Sequence, residues 1–310
     1  MAYFVGMRLV SFRDPVSFRD PVGGTEPDEE ESRTGLVVGD EIVDLTDPAI
    51  GLPGEMTDLL AGGPEAMDLA AGAATTGARR IPLGGAALLA PVPRPPKVMG
   101  IGMNYGAHVA EMGRERPENQ VWFNKQRTCV VGPDAAIEIP KASAQVDYEG
   151  ELAFVIGRRC RHVPAAEAAS VVAGFSIMND VSVRDWQWRT PTWTLGKSFD
   201  THGPFGPWLV TPDEIADPHR LRIRTWVNEE LRQDASTDDM IFSCWEMVEE
   251  LSTVFTLEVG DVISTGTPAG VGGSFDPPKW LVAGDTVRIE VEGIGILENP
   301  VIDERAPARS

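Results

Sequence analysis

The sequence predicts a β-rich α+β fold, and three observations carry that expectation. Short apolar runs recur at 97–102, 120–124, 149–157, 171–179, 206–210, 221–228, 261–265 and 286–292, each of strand length. Turn signals separate them, as at Val259-Gly260-Asp261 and Ala283-Gly284-Asp285, where glycine beside aspartate favours a reversal. Helical periodicity is scarce and clearest over 243–254, where Trp245, Val248, Leu251 and Ser252 share one face. No glycine fingerprint of a dinucleotide-binding βαβ unit accompanies these runs.

In chain order, Tyr3 to Phe12 reads as an opening strand. The segment Ser11–Val16 (SFRDPV) then repeats as Ser17–Val22, and an acidic stretch follows from Thr25 to Ser32. Two copies are too few for a repeat architecture, so the duplication reads as a surface loop. Gly35 to Val38 and Glu41 to Leu45, joined at Gly39-Asp40, read as a hairpin. Residues 55–90, rich in Ala, Gly and Leu, read as weakly helical. Pro91-Val-Pro-Arg-Pro-Pro96 is a stiff connector. The expected organisation is a small N-terminal domain over 1–92, a catalytic domain over 97–302 and a flexible tail over 303–310; a length of 310 residues fits about two domains.

A hydrophobic content of 42% and a charged content of 24% suit a globular chain with a sizeable core. The formal net charge of −20 argues against nucleic acid, whose phosphates need clustered Lys and Arg, and against anionic membrane surfaces. No apolar run reaches the ~18 residues of a membrane span. The first residues lack the basic, apolar and small-residue zones of a signal peptide. Cys129, Cys160 and Cys244 are widely spaced and odd in number, giving neither a disulfide framework nor a zinc motif. The expected location is the cytoplasm.

The strongest chemistry lies in Asp147-Tyr-Glu149-Gly-Glu151-Leu-Ala-Phe-Val-Ile-Gly157. On a strand, residues two apart share a face, so Glu149 and Glu151 point together and Leu152, Phe154 and Ile156 point away. Two carboxylates side by side in a buried strand repel each other unless a cation neutralises them. Asp180 closes the next apolar run, so adjacent strands would bring three carboxylates together. An all-oxygen set suits Mg²⁺ or Mn²⁺, with Ca²⁺ a further option, rather than zinc or copper. Taken alone, an E-x-E pair more often sits on a solvated strand face.

Three further segments add to this one. His108 and Glu111 are neighbours if their segment is helical, and a carboxylate beside an imidazole makes a general base; the bland alternative is a surface ion pair. Gly102, Gly106 and Gly113 around them suggest a mobile lid. Lys197, in a glycine-flanked loop, is placed to meet a developing oxyanion, and Gln187 to donate a neutral hydrogen bond. Thr265 to Gly272 offers hydroxyls and backbone amides that suit a carboxylate, although each such loop alone is commonly an ordinary turn. His162, His202 and His219 have no second ligand at a useful spacing and read as structural. The tryptophans, among them Trp186, Trp188, Trp193 and Trp208, read as core or interface.

Taken in order, these pieces resemble the fumarylacetoacetate hydrolase family. The matching pieces are Gly102 to Tyr105 with His108 and Glu111, Asp147 to Leu152 with Val155 to Gly157, Asn179-Asp180 with Arg184 and Gln187, Gly196 to Asp200, and Thr265 to Gly272. The resemblance covers roughly residues 97–302. It implies a mixed β-roll catalytic domain behind a small N-terminal domain, and a homodimer. It implies Mg²⁺ or Mn²⁺ on Glu149, Glu151 and Asp180, and a lid bearing His108 and Glu111. Gln187 and Lys197 join them as catalytic groups, and Tyr105, Arg184, Gly266 and Thr267 lie at the substrate. One departure is Ala107, where relatives often carry an acid. The implied activity is metal-dependent hydrolysis of a C–C bond in an acylpyruvate or 1,3-diketo acid, with water activated by the His108–Glu111 dyad. The alternatives are isomerisation, decarboxylation or dehydration of a 2-oxo acid, a ring-forming or tautomerising activity, or a metal-stabilised binding protein without turnover.

Overall fold

The computed structural model describes residues 6–13 and 32–305. Most of the duplicated SFRDPV segment, the acidic stretch after it and the last five residues fall outside that range. Each of the eight strand-like runs of the sequence holds a strand. In chain order, the principal strands are β1 (Arg8–Arg13), β2 (Arg33–Val38), β3 (Glu41–Asp44), β4 (Arg80–Pro82), β5 (Val98–Gly102), β6 (Val121–Lys125), β7 (Gly150–Ile156), β8 (Val172–Asn179), β9 (Gly203–Val210), β10 (Arg222–Val227), β11 (Glu230–Ser236), β12 (Val262–Ser264), β13 (Thr286–Val291) and β14 (Gly295–Asp303).

The large sheet has twelve strands, with the path β4-β3-β2-β1-β9-β8-β7-β12-β5-β6. Ala87–Leu88 adds to β1 and Val130–Val131 to β9. The N-terminal strands therefore continue the sheet that carries the carboxylates, through the β1–β9 pairing of Leu9 with Leu209. A second sheet of five strands runs β11-β10-β13-β14 and ends on Ile137–Ile139. β14 extends through Asp303, and the Glu304 N–H reaches Ile139 O, so the chain is paired to that point.

The central strand β7 is buried at every position. Its even-numbered side chains, Leu152, Phe154 and Ile156, enter the larger core, with Ile223, Ile289 and Leu297 of the five-stranded sheet. Its odd-numbered side chains, Ala153 and Val155, enter a second core with Met56, Leu59 and Met67 of two helices, α1 (Met56–Ala61) and α2 (Gly63–Gly72). The alternation expected of Glu149 and Glu151 against Leu152, Phe154 and Ile156 is thus a split between two cores.

The expected helix over 243–254 is α5 (Cys244–Val254). Ser243 caps it, in a reciprocal capping box with Glu246, which satisfies donors that the first turn leaves open. Met247, Val248 and Leu251 bury its inner face. The segment 55–90 is helical only in its first half. It ends in strand β4 and the Ala87–Leu88 pairing, because Ile81 opposite Ile42 seals a small separate core. Besides β4, two principal strands escape the sequence pattern. β11 is a half-exposed edge strand, and β14 alternates buried with exposed residues around Pro300.

Candidate active site

The carboxylates meet because β7 and β8 are antiparallel neighbours, with Gly150 opposite Asn179 and Glu151 opposite Met178. Glu149 and Glu151 flank the start of β7, and Asp180 follows the end of β8. All three are buried, and one oxygen of each lies within 4.8 Å of the others.

Cations from three elements reach this cluster. Lys197 Nζ donates to Glu149 Oε2 and to Asp180 Oδ2, both at 2.7 Å. Lys125 Nζ, at the end of β6, donates to Asp180 Oδ1 at 2.8 Å and also to the Lys197 carbonyl. Arg184 opens the short helix α4 (Arg184–Gln187). Its Nη1 lies 2.6 Å from Glu149 Oε1, and its Nε donates to Asp147 Oδ2 at 2.8 Å. Burial disfavours ionised Glu149, yet Lys197 and Arg184 beside it hold its carboxyl well below the ordinary range.

Glu151 differs. Its partners are neutral: the Ser264 hydroxyl and the Gly266 N–H, the latter at 2.9 Å. Burial, with the Asp180 and Glu149 charges nearby, pushes its carboxyl well above the usual value. A buried carboxylate at the centre of an oxygen cluster, without a cation of its own, fits a divalent ion; the hard oxygen donors match Mg²⁺ or Mn²⁺.

Above the cluster, α3 (Gly106–Glu111) carries the dyad, with His108 Nδ1 3.1 Å from Glu111 Oε2. Despite partial burial, hydrogen bonds from His108 and the Gly270 N–H lower Glu111 below its ordinary value. The helix is tied down rather than loose. Ala107 N–H donates to Asp239 Oδ2 at 2.9 Å, and Asn104 Nδ2 donates to the Thr265 carbonyl at 2.8 Å. Gly102 and Gly106 serve close packing rather than mobility. A Cβ at Gly102 would meet the Trp193 ring at 2.3 Å, and one at Gly106 would meet Asp239 Oδ1 at 2.9 Å.

The loop after β12 uses its amides on this chain's own carboxylates. Gly266 N–H holds Glu151, Gly270 N–H holds Glu111 at 3.0 Å, and Gly272 N–H and Gly273 N–H hold Asp147 at 2.7 and 2.9 Å. One loop therefore aligns the carboxylate cluster, the dyad and the anchor of Arg184. This replaces the expectation that these amides face a substrate carboxylate, and it moves Gly266 into a supporting position.

His108, Glu149, Glu151, Arg184, Gln187, Lys197 and Thr267 all line one cavity with about 30 Å³ of free space. Gln187 Oε1 accepts from Arg184 Nη1 at 2.9 Å, leaving its amide NH₂ as the donor. Thr267 Oγ1 donates to the Gly150 carbonyl at 3.0 Å. Lys197 is bound to carboxylates, not free to meet an oxyanion unaided. Tyr105 is fully buried and lies outside the cavity lining. Trp188 and Trp193, expected in a core or interface, form an edge-to-face pair on the cavity wall, with centroids 5.7 Å apart.

In the sequence, Lys125 and Ser264 carried no role, and Asp147 stood only as the first residue of the carboxylate segment. Lys125 has one visible signal, a lone cation closing the apolar run 121–125. His202 and His219 sit away from the cavity lining, as structural residues do.

Carboxylates gathered as a hard cation would need, with an imidazole–carboxylate pair on the helix above them and a shared cavity, have the make-up of an enzyme's active site. The chain belongs to the fumarylacetoacetate hydrolase family: the family model described as "Fumarylacetoacetate (FAA) hydrolase C-terminal" matches residues 97–302. Among curated relatives, it is 41% identical over 301 residues to the rat protein "Oxaloacetate tautomerase Fahd2a, mitochondrial", covering 96% of this chain and 92% of that one. Among solved structures, it resembles maleylpyruvate hydrolase from Sphingobium sp. SYK-6 in complex with manganese (II) ion and pyruvate. That likeness has a TM-score of 0.78 and 34% identity, over 96% of this chain and 100% of the other. A 2-hydroxyhepta-2,4-diene-1,7-dioate isomerase from Mycobacterium marinum matches with a TM-score of 0.73 and 35% identity, over 97% and 100%.

Proposed function

We propose that this chain is a divalent-metal-dependent tautomerase that interconverts the enol and keto forms of a short 2-oxo acid. The observation that carries the reading is the likeness to an oxaloacetate tautomerase along nearly the whole chain. The site chemistry agrees with it. A cation held by Glu149, Glu151 and Asp180 would polarise the 2-oxo acid head.

The remaining work is proton transfer. His108, oriented by Glu111, accepts the proton from the enol oxygen and delivers one to the adjacent carbon; the reverse reaction runs the same path backwards. No atom is gained or lost. Gln187 donates its amide N–H to the substrate oxygen while that oxygen bears charge. Thr267, on the cavity wall, shapes the substrate's side of the site while its hydroxyl holds the Gly150 carbonyl. Lys197 and Arg184 keep Glu149 ionised, and Lys125 and Lys197 hold Asp180 in place. The dyad had pointed towards hydrolysis because hydrolysis needs an activated water; a general base that shuttles a carbon-bound proton needs the same two residues.

The second reading is hydrolytic C–C cleavage of an acylpyruvate. It is favoured by the likeness to the manganese- and pyruvate-bound hydrolase. One experiment separates the two. The Mn²⁺-loaded protein is mixed with enol oxaloacetate, and separately with an acylpyruvate, with absorbance and product mass followed. Enol decay at constant mass, abolished by EDTA, supports the tautomerase. Two fragments from the acylpyruvate, with no acceleration of enol decay, would replace it by the hydrolase.

For the setting of this activity, we propose a homodimer in the cytoplasm. All three cysteines are unpaired, which suits a reducing compartment. Among the described residues, no helix is long and apolar enough to cross a membrane. Sedimentation of the purified chain reads the oligomeric state.

A further inference from the structure

We infer that Arg114 is a specificity residue that captures a second, distal carboxylate, so that the preferred substrates are 2-oxo dicarboxylates. The inference rests on the proposed 2-oxo acid chemistry and names the substrate class for it.

Three cationic side chains line the cavity: Arg184, Lys197 and Arg114. Two are committed. Arg184 is paired with Asp147 and Glu149, and Lys197 with Glu149 and Asp180. Arg114 makes no ion pair among the described residues; its contact is with a ring, its guanidinium carbon 5.5 Å from the Trp188 centroid.

The backbone places Arg114 with care. The dyad helix ends at Gly113, whose φ of +64° favours glycine. Gly113 N–H donates to the Ala110 carbonyl at 2.9 Å, and Arg114 N–H donates to the Val109 carbonyl at 3.1 Å. That pair of bonds is the Schellman helix stop. It sets Arg114 three residues beyond Glu111, where the chain leaves the dyad helix. On the opposite wall, Trp188 ends the short helix that bears Arg184 and Gln187. A guanidinium beside an indole spends no N–H on it, so the donors of Arg114 stay available for a carboxylate, which a guanidinium can grip in two bonds. The cavity is thus lined by the carboxylate cluster with its own cations and by one guanidinium that has no carboxylate partner. A 2-oxo acid with a carboxylate at each terminus matches both, whereas a neutral acyl chain leaves the guanidinium without a counterion.

The test uses oxaloacetate and 2-oxobutyrate, which have the same carbon count but differ in a distal carboxylate. Their dissociation constants are measured on the full-length, Mn²⁺-loaded protein by calorimetry. The wild type should prefer oxaloacetate by about 10-fold, the scale of one charge-assisted contact at a partly exposed site. Arg114→Gln should erase that preference by weakening oxaloacetate while 2-oxobutyrate stays within about twofold. Arg114→Lys should restore part of it. Equal weakening of both ligands in Arg114→Gln, or a retained preference, would overturn the inference. The two proposals fail separately. Wild-type protein that binds oxaloacetate through Arg114 without tautomerising it would sink the tautomerase alone. Turnover with an unchanged preference in Arg114→Gln would sink this inference alone.

Discussion

Replacing Glu151 by Gln should make the metal-free protein more stable and the metal-loaded protein less so. Glu151 is 1% exposed, and neutral donors are its hydrogen-bond partners. Glu149 and Asp180 by contrast have Lys197, Arg184 and Lys125. In Glu151→Gln the amide oxygen keeps the Ser264 and Gly266 bonds, and its NH₂ donates towards the neighbouring carboxylates. Removing a buried charge that lacks a counterion should be worth about 2 kcal/mol, or roughly 4 °C in Tm for a chain of this size. The same change removes a ligand, so Mn²⁺ affinity should fall by at least about 100-fold. At a Mn²⁺ concentration of about 100 times the wild-type Kd, the wild type gains about 2.7 kcal/mol, and the variant at most about 0.4 kcal/mol. The assay is thermal unfolding in EDTA and in Mn²⁺. A variant that melts lower than wild type in EDTA and still responds fully to Mn²⁺ would refute the assignment of Glu151 to the cation.

Four further outcomes follow from the same geometry. His108→Ala should lower turnover by about 10²–10⁴-fold, while the Mn²⁺-induced rise in Tm persists, since the imidazole is a proton carrier and not a ligand. Lys125→Met removes one of the two lysines on Asp180, leaving Lys197, and should cost about 1–3 kcal/mol in urea unfolding of the metal-free protein. Gly270→Ala would drive a Cβ to 2.0 Å from the Arg232 carbonyl and displace the N–H that holds Glu111, so kcat should fall without loss of Mn²⁺ binding. His202 is buried, donates Nε2–H to the Glu138 carbonyl and leaves Nδ1 without a partner. Burial pushes its pKa down from 6.5 to about 4. The unfolded chain therefore takes up a proton below about pH 6.5 that the folded chain refuses until about pH 4, so stability is lost as pH falls through that window. Between pH 7 and 5 the loss should be about 2 kcal/mol, and it should vanish in His202→Gln.

What could be read from the sequence was whatever repeats at short range. The period of two put Glu149 and Glu151 on one side of a strand, and the adjacency of two apolar runs brought Asp180 to them. The partners of these groups were not legible, because they come from far along the chain. Lys125 reaches Asp180 across 55 positions, and Gly270 reaches Glu111 across 159. The glycines near the dyad were misread for the same reason. Flexibility is a local property of glycine, whereas the space that Trp193 and Asp239 deny to a side chain is set by the tertiary fold. β11 escaped because its edge position leaves Leu231 exposed among charged neighbours, without the alternation of a half-buried strand.

The strand that carries the carboxylates is enclosed on both faces by separate cores and on both edges by β8 and β12. Its amides should exchange with solvent only when the whole molecule unfolds, whereas the dyad helix, six residues long and held by a few tertiary hydrogen bonds, should exchange sooner. The two halves of the site thus belong to different cooperative units. Substitutions on the helix and its Arg114 stop can redirect which acid is accepted, or what becomes of its proton, at little risk to the fold. Substitutions on the strand cannot. In this chain the cation site is the fixed part and the rim the adjustable one.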